Sequence, residues 1–288
     1  MPLEHLRCLE SPIRLGIGME ILTMPKEVFE DLFYVSESHY RFEEVVQWES
    51  ALHLTFTMTK SATPEGATSA VEQYRTAEDV LTAIRLLKSS RVFAGPIVTR
   101  YRRWMPMIGT GYGRRSEAPH PFNSMHELTF ADSQPLIAHL KSVQRIRQGG
   151  FPNLTLALRR FNYSYERSRS EDRLIDQMIA FETLFLADIG DDDRGEKRFR
   201  LALRVSYFLD PGPNRKSINQ DMKRAYDMRS KVVHGGDSST ALEEVAKKTE
   251  EYLRQSLVKF LERAMQPNGT RDLIRWDDLF FPEIPLLP

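Results

Sequence analysis

Three residues near the end of one predicted helix have side chains suited to chemistry: Arg229, Ser230 and His234. An imidazole exchanges protons near neutral pH, and a guanidinium can hold a phosphate through two hydrogen bonds. On an ideal helix, the five steps from Arg229 to His234 amount to about 140° and 7.5 Å, whereas Ser230 shares the face of His234. One copy of the helix therefore holds Ser230 beside His234 and leaves Arg229 to one side. This arrangement indicates a site that a second surface completes.

The spacing alone is not specific, because Arg115 and His120 repeat it. That second pair lies among glycines and prolines, where no helix can hold the geometry, and we interpret it as part of a loop. Arg229 and His234 differ from it in their predicted helical setting.

The helix that carries Arg229 and His234 shows start, core and stop signals. Ser217 or Asn219 is expected to cap its start, and Gly235-Gly236 to end it. Its inward positions are predicted from helical spacing: Ile218, Met222, Tyr226 and Val233. A histidine just before a helix stop often only bonds the terminal carbonyls or favours the helix dipole, so a purely structural role is the alternative.

Composition limits the classes of protein that fit. The chain has 288 residues, 41% hydrophobic and 28% charged, with 40 basic and 40 acidic residues, so no overall basic charge points to nucleic acid. The single cysteine, Cys8, excludes an intramolecular disulfide framework and a cysteine zinc site and is typical of the cytoplasm. No metal-ligand spacing, signal peptide or membrane span is evident, so we expect a cytoplasmic protein without a metal or other cofactor.

The first half of the chain predicts a small α+β domain over residues 1–150. Alternating apolar residues predict strands at 12–23 and 51–60, and weaker patterns predict strands at 92–101 and near 127–130. Helices are predicted at about 76–89 and from Pro135 onward. A glycine- and proline-containing stretch at 148–152 is the best boundary in the sequence.

The second half predicts a helical bundle over residues 151–266. Helices are expected from a cap at Asn153, at about 170–188, at about 196–209, and from a capping box at Thr240, besides the helix of Arg229. Arg200 and Arg204 are predicted to stack on an outward face. The aromatic tail at 267–288 is expected to lie along the surface of a domain.

Several segments of this half carry a family pattern. They are Leu158-Arg-Arg-Phe161, Glu171-Asp-Arg-Leu-Ile-Asp176 running into Ala180-Phe-Glu-Thr-Leu-Phe185, Glu196-Lys-Arg198 leading to Leu203-Arg204, and Tyr226-Asp-Met-Arg-Ser-Lys-Val-Val-His-Gly235. In this order they resemble a HEPN domain (higher eukaryotes and prokaryotes nucleotide-binding), most closely its Apea-like branch. The resemblance covers about 154–265, so the expected fold is α+β with an all-α HEPN-type bundle after residue 150. Residues 1–150 resemble no family that we can name.

The resemblance implies a metal-independent endoribonuclease whose Arg-x4–6-His motif meets its twin across a homodimer. Arg229 and His234 match those positions, and Ser230 is the polar residue that commonly follows the arginine. In this role His234 moves protons between the ribose 2′-OH and the leaving 5′-oxygen, and Arg229 stabilises the charge on the phosphate, leaving a 2′,3′-cyclic phosphate. Family members act as toxin-like or antiviral effectors. A tyrosine that antitoxins modify in some of them is replaced here by Gly236.

Other side chains are candidates for support. A basic run between 194 and 231 is predicted to face RNA, with Arg200, Arg204, Arg224 and Lys231 as substrate-binding residues, although solvated helix faces explain many such runs. Glu182 is predicted to orient the motif arginine or histidine as a buried acid, or else to be an ordinary exposed or capping residue.

The alternative to the enzyme is a catalytically inactive HEPN module that binds RNA or mediates assembly. In either case, residues 1–150 are expected to select a target or sense a trigger. The sequence identifies neither an RNA target nor an activating or antitoxin partner.

Overall fold

A computed structural model of the protein describes residues 2–4, 6–26, 28–30, 49–54, 65–89, 91–95, 126–189, 196–210, 212–234, 240–266, 274, 276 and 280. Over these residues the protein is α+β, with strands in the N-terminal part and helices in the remainder. The chain divides into two compact units, Met1–Lys141 and Ser142–Pro288. The sequence placed this boundary after residue 150, at the glycine pair that follows a helix.

The N-terminal unit is built on a five-stranded antiparallel sheet with the order β3-β4-β5-β1-β6. Its strands are β1 (Pro2–Glu4), β3 (Ile13–Gly16), β4 (Met19–Thr23), β5 (Ser50–Leu54) and β6 (Phe93–Ala94). Two further strands, β2 (Leu6–Cys8) and β7 (His126–Leu128), pair in parallel. Helix α1 (Glu65–Leu87) contributes Val80 and Ile84 to a core that also holds Leu3, Ile21 and Leu52.

The strand predicted over residues 12–23 is a hairpin instead. Ile13 pairs with Ile21, and the chain reverses at Ile17 and Gly18. Gly18 has φ of 67°, a backbone conformation that glycine adopts without steric cost. Alternation continues through such a turn, so the pattern indicated one long strand where the structure has β3 and β4. The second halves of the predicted strands 51–60 and 92–101 and the Arg115–His120 loop lie outside the described residues.

The C-terminal unit is helical wherever it has regular structure in the described ranges. Helix α2 (Ser133–Arg147) begins within the N-terminal unit, after a 3₁₀ turn at Phe130–Asp132, and extends past residue 141. It is followed by α3 (Pro152–Glu166), α4 (Ser170–Phe185), α5 (Lys197–Leu209), α6 (Arg215–Val233) and α7 (Thr240–Ala264). Gly149 and Gly150 have φ of 110° and 101° and form the turn between α2 and α3.

Aromatic rings form the core of this helical unit. The Phe185 ring centroid lies 5.4 Å from those of Phe208 and Phe260, which brings α4, α5 and α7 together. Trp276 from the tail lies 5.6 Å from Phe185, and Phe280 lies 5.1 Å from Tyr207. In the described part of the chain, no helix combines the length and apolar character that crossing a membrane would need.

Candidate functional site

Helix α6 carries Arg229, Ser230 and His234, and its start is fixed by Asp210 rather than by Ser217 or Asn219. The Asp210 carboxylate accepts hydrogen bonds from the backbone N–H groups of Gly212 and Asn214, at 2.5 and 2.9 Å. These bonds hold the pKa of Asp210 below its usual value. Ser217 and Asn219 lie inside the helix, whose N-cap residue is Asn214.

Arg229 lies toward the packed side of α6. The buried residues of this helix are Ile218, Met222 and Ala225, and Arg229 follows Ala225 by four residues, so it continues the same stripe. Its side chain is half-buried, and within the described residues its buried Nε atom has no hydrogen-bond partner. The guanidinium therefore retains an unused donor.

Tyr226 lies close to both Glu182 and Arg229. Burial raises the pKa of the Tyr226 phenol, the charge of Glu182 raises it further, and the charge of Arg229 opposes both. Glu182 is half-buried on α4 and, among the described residues, forms no ion pair with Arg229 or His234. Glu182 and Arg229 thus both act on Tyr226, and among the described residues Glu182 bonds neither motif residue.

His234 ends α6 on the opposite, exposed side. It is the C-cap residue, and its backbone N–H donates to the carbonyls of Ser230 and Lys231, each at 3.2 Å. Its imidazole is exposed, and Ser230 is half-buried one turn earlier. Val233, predicted to face inward, is 53% exposed, so that prediction is wrong. A single chain therefore separates Arg229 from His234, as the helical spacing indicated.

A shallow groove lies on the exposed face of α6. We call it the basic groove, and its lining is Arg198, Gln220, Lys223, Arg224, Asp227, Met228 and Lys231. The α6 members recur at helical spacing, and His234 follows Lys231 by three residues on the same face. The Arg198 guanidinium pairs with the only carboxylate of this lining, Asp227, through two hydrogen bonds of 2.6 Å.

Three cations of the basic groove have no carboxylate partner. Over the residues that the structure describes, Lys223, Arg224 and Lys231 form no ion pair, while the ammonium of Lys223 lies 5.3 Å from the ring centroid of Phe199. An unpaired run of positive charge on one helix face is suited to a backbone of phosphates.

The predicted outward position of Arg204 is wrong. Arg204 is only 8% exposed, and its guanidinium donates to the Phe185 carbonyl at 2.6 Å and to both carboxylate oxygens of Asp188 at 2.6 and 2.8 Å. Burial alone would raise the pKa of Asp188, but the Arg204 hydrogen bonds and charge outweigh it and hold that pKa below its usual value. Trp276 covers the guanidinium at 4.6 Å.

Arg200, the other arginine predicted on that face of α5, is partly exposed. It donates to Glu196 at 2.9 Å, one turn earlier on the chain, and it does not line the basic groove. The structure therefore places Arg224 and Lys231 in the basic groove and leaves Arg200 and Arg204 outside it.

Sequence reasoning missed several members and one neighbour of the basic groove as site residues, among them Arg198, Phe199, Gln220 and Lys223. Two of them were within the basic run, but the run gave no reason to prefer them over Arg204. The signal that finds the α6 members is the stripe at 220, 223, 224, 227, 228 and 231, a helical face opposite the buried one. Phe199 is not detectable in this way, because its approach to Lys223 depends on how α5 packs on α6.

Comparisons with known proteins assign no family. No protein-family model, curated protein or solved structure matches this chain significantly. Among the described residues, no cluster of three or more His, Cys, Asp or Glu side chains is placed to hold a metal ion.

Proposed function

We propose that this protein is a metal-independent endoribonuclease of HEPN type, acting as a toxin-like or antiviral effector. The observation that supports this proposal best is the basic groove, whose cations, unpaired among the described residues, lie on the α6 face that the exposed His234 continues. Such a surface can bind an RNA backbone and deliver it to a group that transfers protons.

The reaction assigns one role to each motif residue. As general base, His234 takes the proton of a ribose 2′-OH while the 2′-oxygen attacks the adjacent phosphorus. The bond to the 5′-oxygen then breaks, and an imidazolium returns a proton to that leaving oxygen. Arg229 donates to the phosphate as charge develops on it, and the products are a 2′,3′-cyclic phosphate and a 5′-hydroxyl.

A second copy of the chain is part of this proposal. Arg229 lies on the packed side of α6 and His234 on its exposed side, so one chain does not present both groups to one phosphate. A symmetric pair of α6 ends can place the arginine of one protomer near the histidine of its partner.

Cleavage of RNA by purified protein in EDTA tests the proposal. We expect the wild type to leave 2′,3′-cyclic phosphate ends, and His234→Ala and Arg229→Ala each to reduce the rate at least about 100-fold. The matched control for the histidine is His53→Ala, which removes an exposed histidine of β5 and should cut like the wild type. Arg229→Lys keeps a charge but no bidentate donor, so it should also be slow.

The outcomes separate the two functions. Cleavage that survives both alanine substitutions would contradict the assigned site. RNA binding without any cleavage by the wild type would favour the inactive RNA-binding module. Circular dichroism of each variant distinguishes a loss of activity from a loss of folding.

A further inference from the structure

Phe199 is an exposed aromatic residue beside the basic groove. It lies on α5 directly after Arg198, which lines the groove, and its side chain is 53% exposed. The Lys223 ammonium lies 5.3 Å from its ring centroid, which is within the range of a cation–π contact. A single exposed phenylalanine is ordinary on a protein surface, so its significance depends on the charges around it.

Those charges and the ring together suit an unpaired nucleotide. Proteins that bind single strands combine a positively charged groove that follows the backbone with aromatic rings on which bases stack. Here Lys223 touches both features, since it lines the groove and contacts the ring. In a duplex the bases are already stacked on each other, so an exposed ring adds nothing to duplex binding.

We propose that Phe199 stacks an unpaired base at the end of the basic groove remote from His234, so that the groove selects single-stranded RNA. This inference rests on the proposed function for the identity of the ligand as RNA. Phe199 is a specificity-determining residue in this proposal and takes no part in the proton transfers.

The position of Phe199 also sets a distance to the proposed chemistry. Its contact residue Lys223 precedes His234 by eleven residues on α6, which corresponds to about 16 Å along the helix axis. At about 3.4 Å for each stacked nucleotide, the stacked base lies at most about five nucleotides from the bond that is cut. A fixed base of this kind would align the strand along the groove.

Binding of uncleavable RNA by the full-length protein tests this proposal. The probes are a short labelled 2′-O-methyl strand, the same strand annealed to its complement, and the same strand with abasic positions. We expect Phe199→Ala to weaken binding of the intact single strand about 5- to 100-fold, and to leave the duplex and abasic probes unchanged. Phe199→Trp should restore binding and Phe199→Leu should not, because only the former presents a ring.

Two controls separate stacking from general effects. Phe130→Ala removes a phenylalanine of nearly equal exposure, 54%, from the N-terminal unit and should not change binding. Lys223→Ala should weaken all three probes, since it removes a charge that meets the backbone. Fluorescence of a 2-aminopurine base in the strand gives a second readout, with quenching expected for the wild type and lost in Phe199→Ala.

Several results would overturn the proposal. These are unchanged single-strand affinity in Phe199→Ala, an equal loss on the abasic probe, no RNA binding by the wild type, or a preference of the groove for polyglutamate over RNA. If Phe199→Ala binds RNA normally and the protein still cleaves RNA, only the stacking role is excluded. If Phe199 stacks a base but the wild type cleaves nothing, only the proposed nuclease activity is excluded.

Discussion

At the scale of single residues, Arg204 is a helix cap. Phe185 is the last residue of α4, so its carbonyl has no partner within that helix. The Arg204 guanidinium supplies the missing donor at 2.6 Å and places a positive charge at the negative end of the helix dipole. The same guanidinium binds Asp188 just beyond the helix, so one side chain fixes the end of α4 against α5.

This role predicts different outcomes for two arginines that lie one turn apart on α5. We expect Arg204→Ala to lower the free energy of unfolding by about 2–3 kcal/mol, because it leaves the Phe185 carbonyl unpaired and opens space beside Trp276. Arg200→Ala, the matched control, should cost at most about 0.5 kcal/mol, since its pairing with Glu196 is solvent-accessible. Urea unfolding followed by circular dichroism measures both changes in stability. An Arg204→Ala protein that is as stable as the wild type but binds RNA more weakly would support a substrate-binding role for Arg204 instead.

His126, on β7, makes the stability of the N-terminal unit depend on pH. Burial and the nearby charge of Lys88 lower the pKa of His126 to about 4, against the opposing charge of Asp132. The unfolded chain takes up a proton below about pH 6.5 and the folded chain only near pH 4, so stability falls as the pH drops through this window. The loss should be about 1–3 kcal/mol.

Hydrogen exchange at β2 and β7 measures this effect. Between pH 7 and pH 5, protection should decrease in the wild type and decrease less in His126→Gln, which has no imidazole to protonate. His53→Gln changes an exposed histidine of the same unit and should follow the wild type. A His126→Gln protein with the full wild-type pH dependence would contradict the assignment.

At the scale of elements, α6 has two faces with different tasks. One face buries Ile218, Met222 and Ala225 in the bundle, and the Tyr252 hydroxyl of α7 donates to Asp221 at 2.9 Å to fix the register of the helix. The other face presents Lys223, Arg224 and Lys231 to solvent. The packed face holds the helix rigid, and the basic face keeps its charges at a fixed spacing.

The basic face predicts a measurable salt dependence of RNA binding. Each cation that meets a phosphate should contribute about 0.7 to the slope of log affinity against log salt for a single strand. We expect Arg224→Ala and Lys231→Ala each to reduce the slope by about that amount. Lys247→Ala removes an exposed lysine of α7 that does not line the groove, so its slope should equal that of the wild type. Equal slopes in all four proteins would mean that the groove does not bind RNA.

The helices were predictable because their signals are local. The capping box at Thr240 and apolar residues at helical spacing predict α7, and the same spacing predicts α3 to α6 within a few residues of their observed bounds. Helix starts were less well predicted. Asn153 lies inside α3, whose N-cap is Phe151 and whose first turn contains Pro152. Because asparagine is a good capping residue, the sequence placed the predicted start of α3 too late.

Sequence reasoning could not predict the contacts between elements. Arg204 occupies the apolar stripe of α5, and its inward position requires the carbonyl and carboxylate at the end of α4, which only the folded bundle brings within reach. Phe199 and Lys223 likewise meet only because α5 packs on α6. The divergence of Arg229 and His234, by contrast, follows from helix geometry alone.

At the scale of the whole molecule, the chain is electrically neutral, with 40 basic and 40 acidic residues. The basic groove is therefore a local excess, and it attracts a polyanion at close range rather than steering it from a distance. Under the proposed function, strong binding of RNA depends on filling the groove and on contacts that a second protomer adds.

The proposed composite site predicts that two inactive variants complement each other. If His234 of one chain acts with Arg229 of its partner, then mixing His234→Ala with Arg229→Ala chains and letting them exchange should restore activity, because each mixed dimer holds one site with an intact His234 and an intact Arg229. Either variant alone, or either variant mixed with serum albumin, should stay inactive. Light scattering should give twice the chain mass of 33.4 kDa at concentrations where the protein is active, and the specific activity should fall on dilution as dimers dissociate. Full activity from a monomer, or a mixture of the two variants that stays inactive, would mean that one chain holds the complete site. Arg229 would then have to leave the packed face of α6 to reach the phosphate.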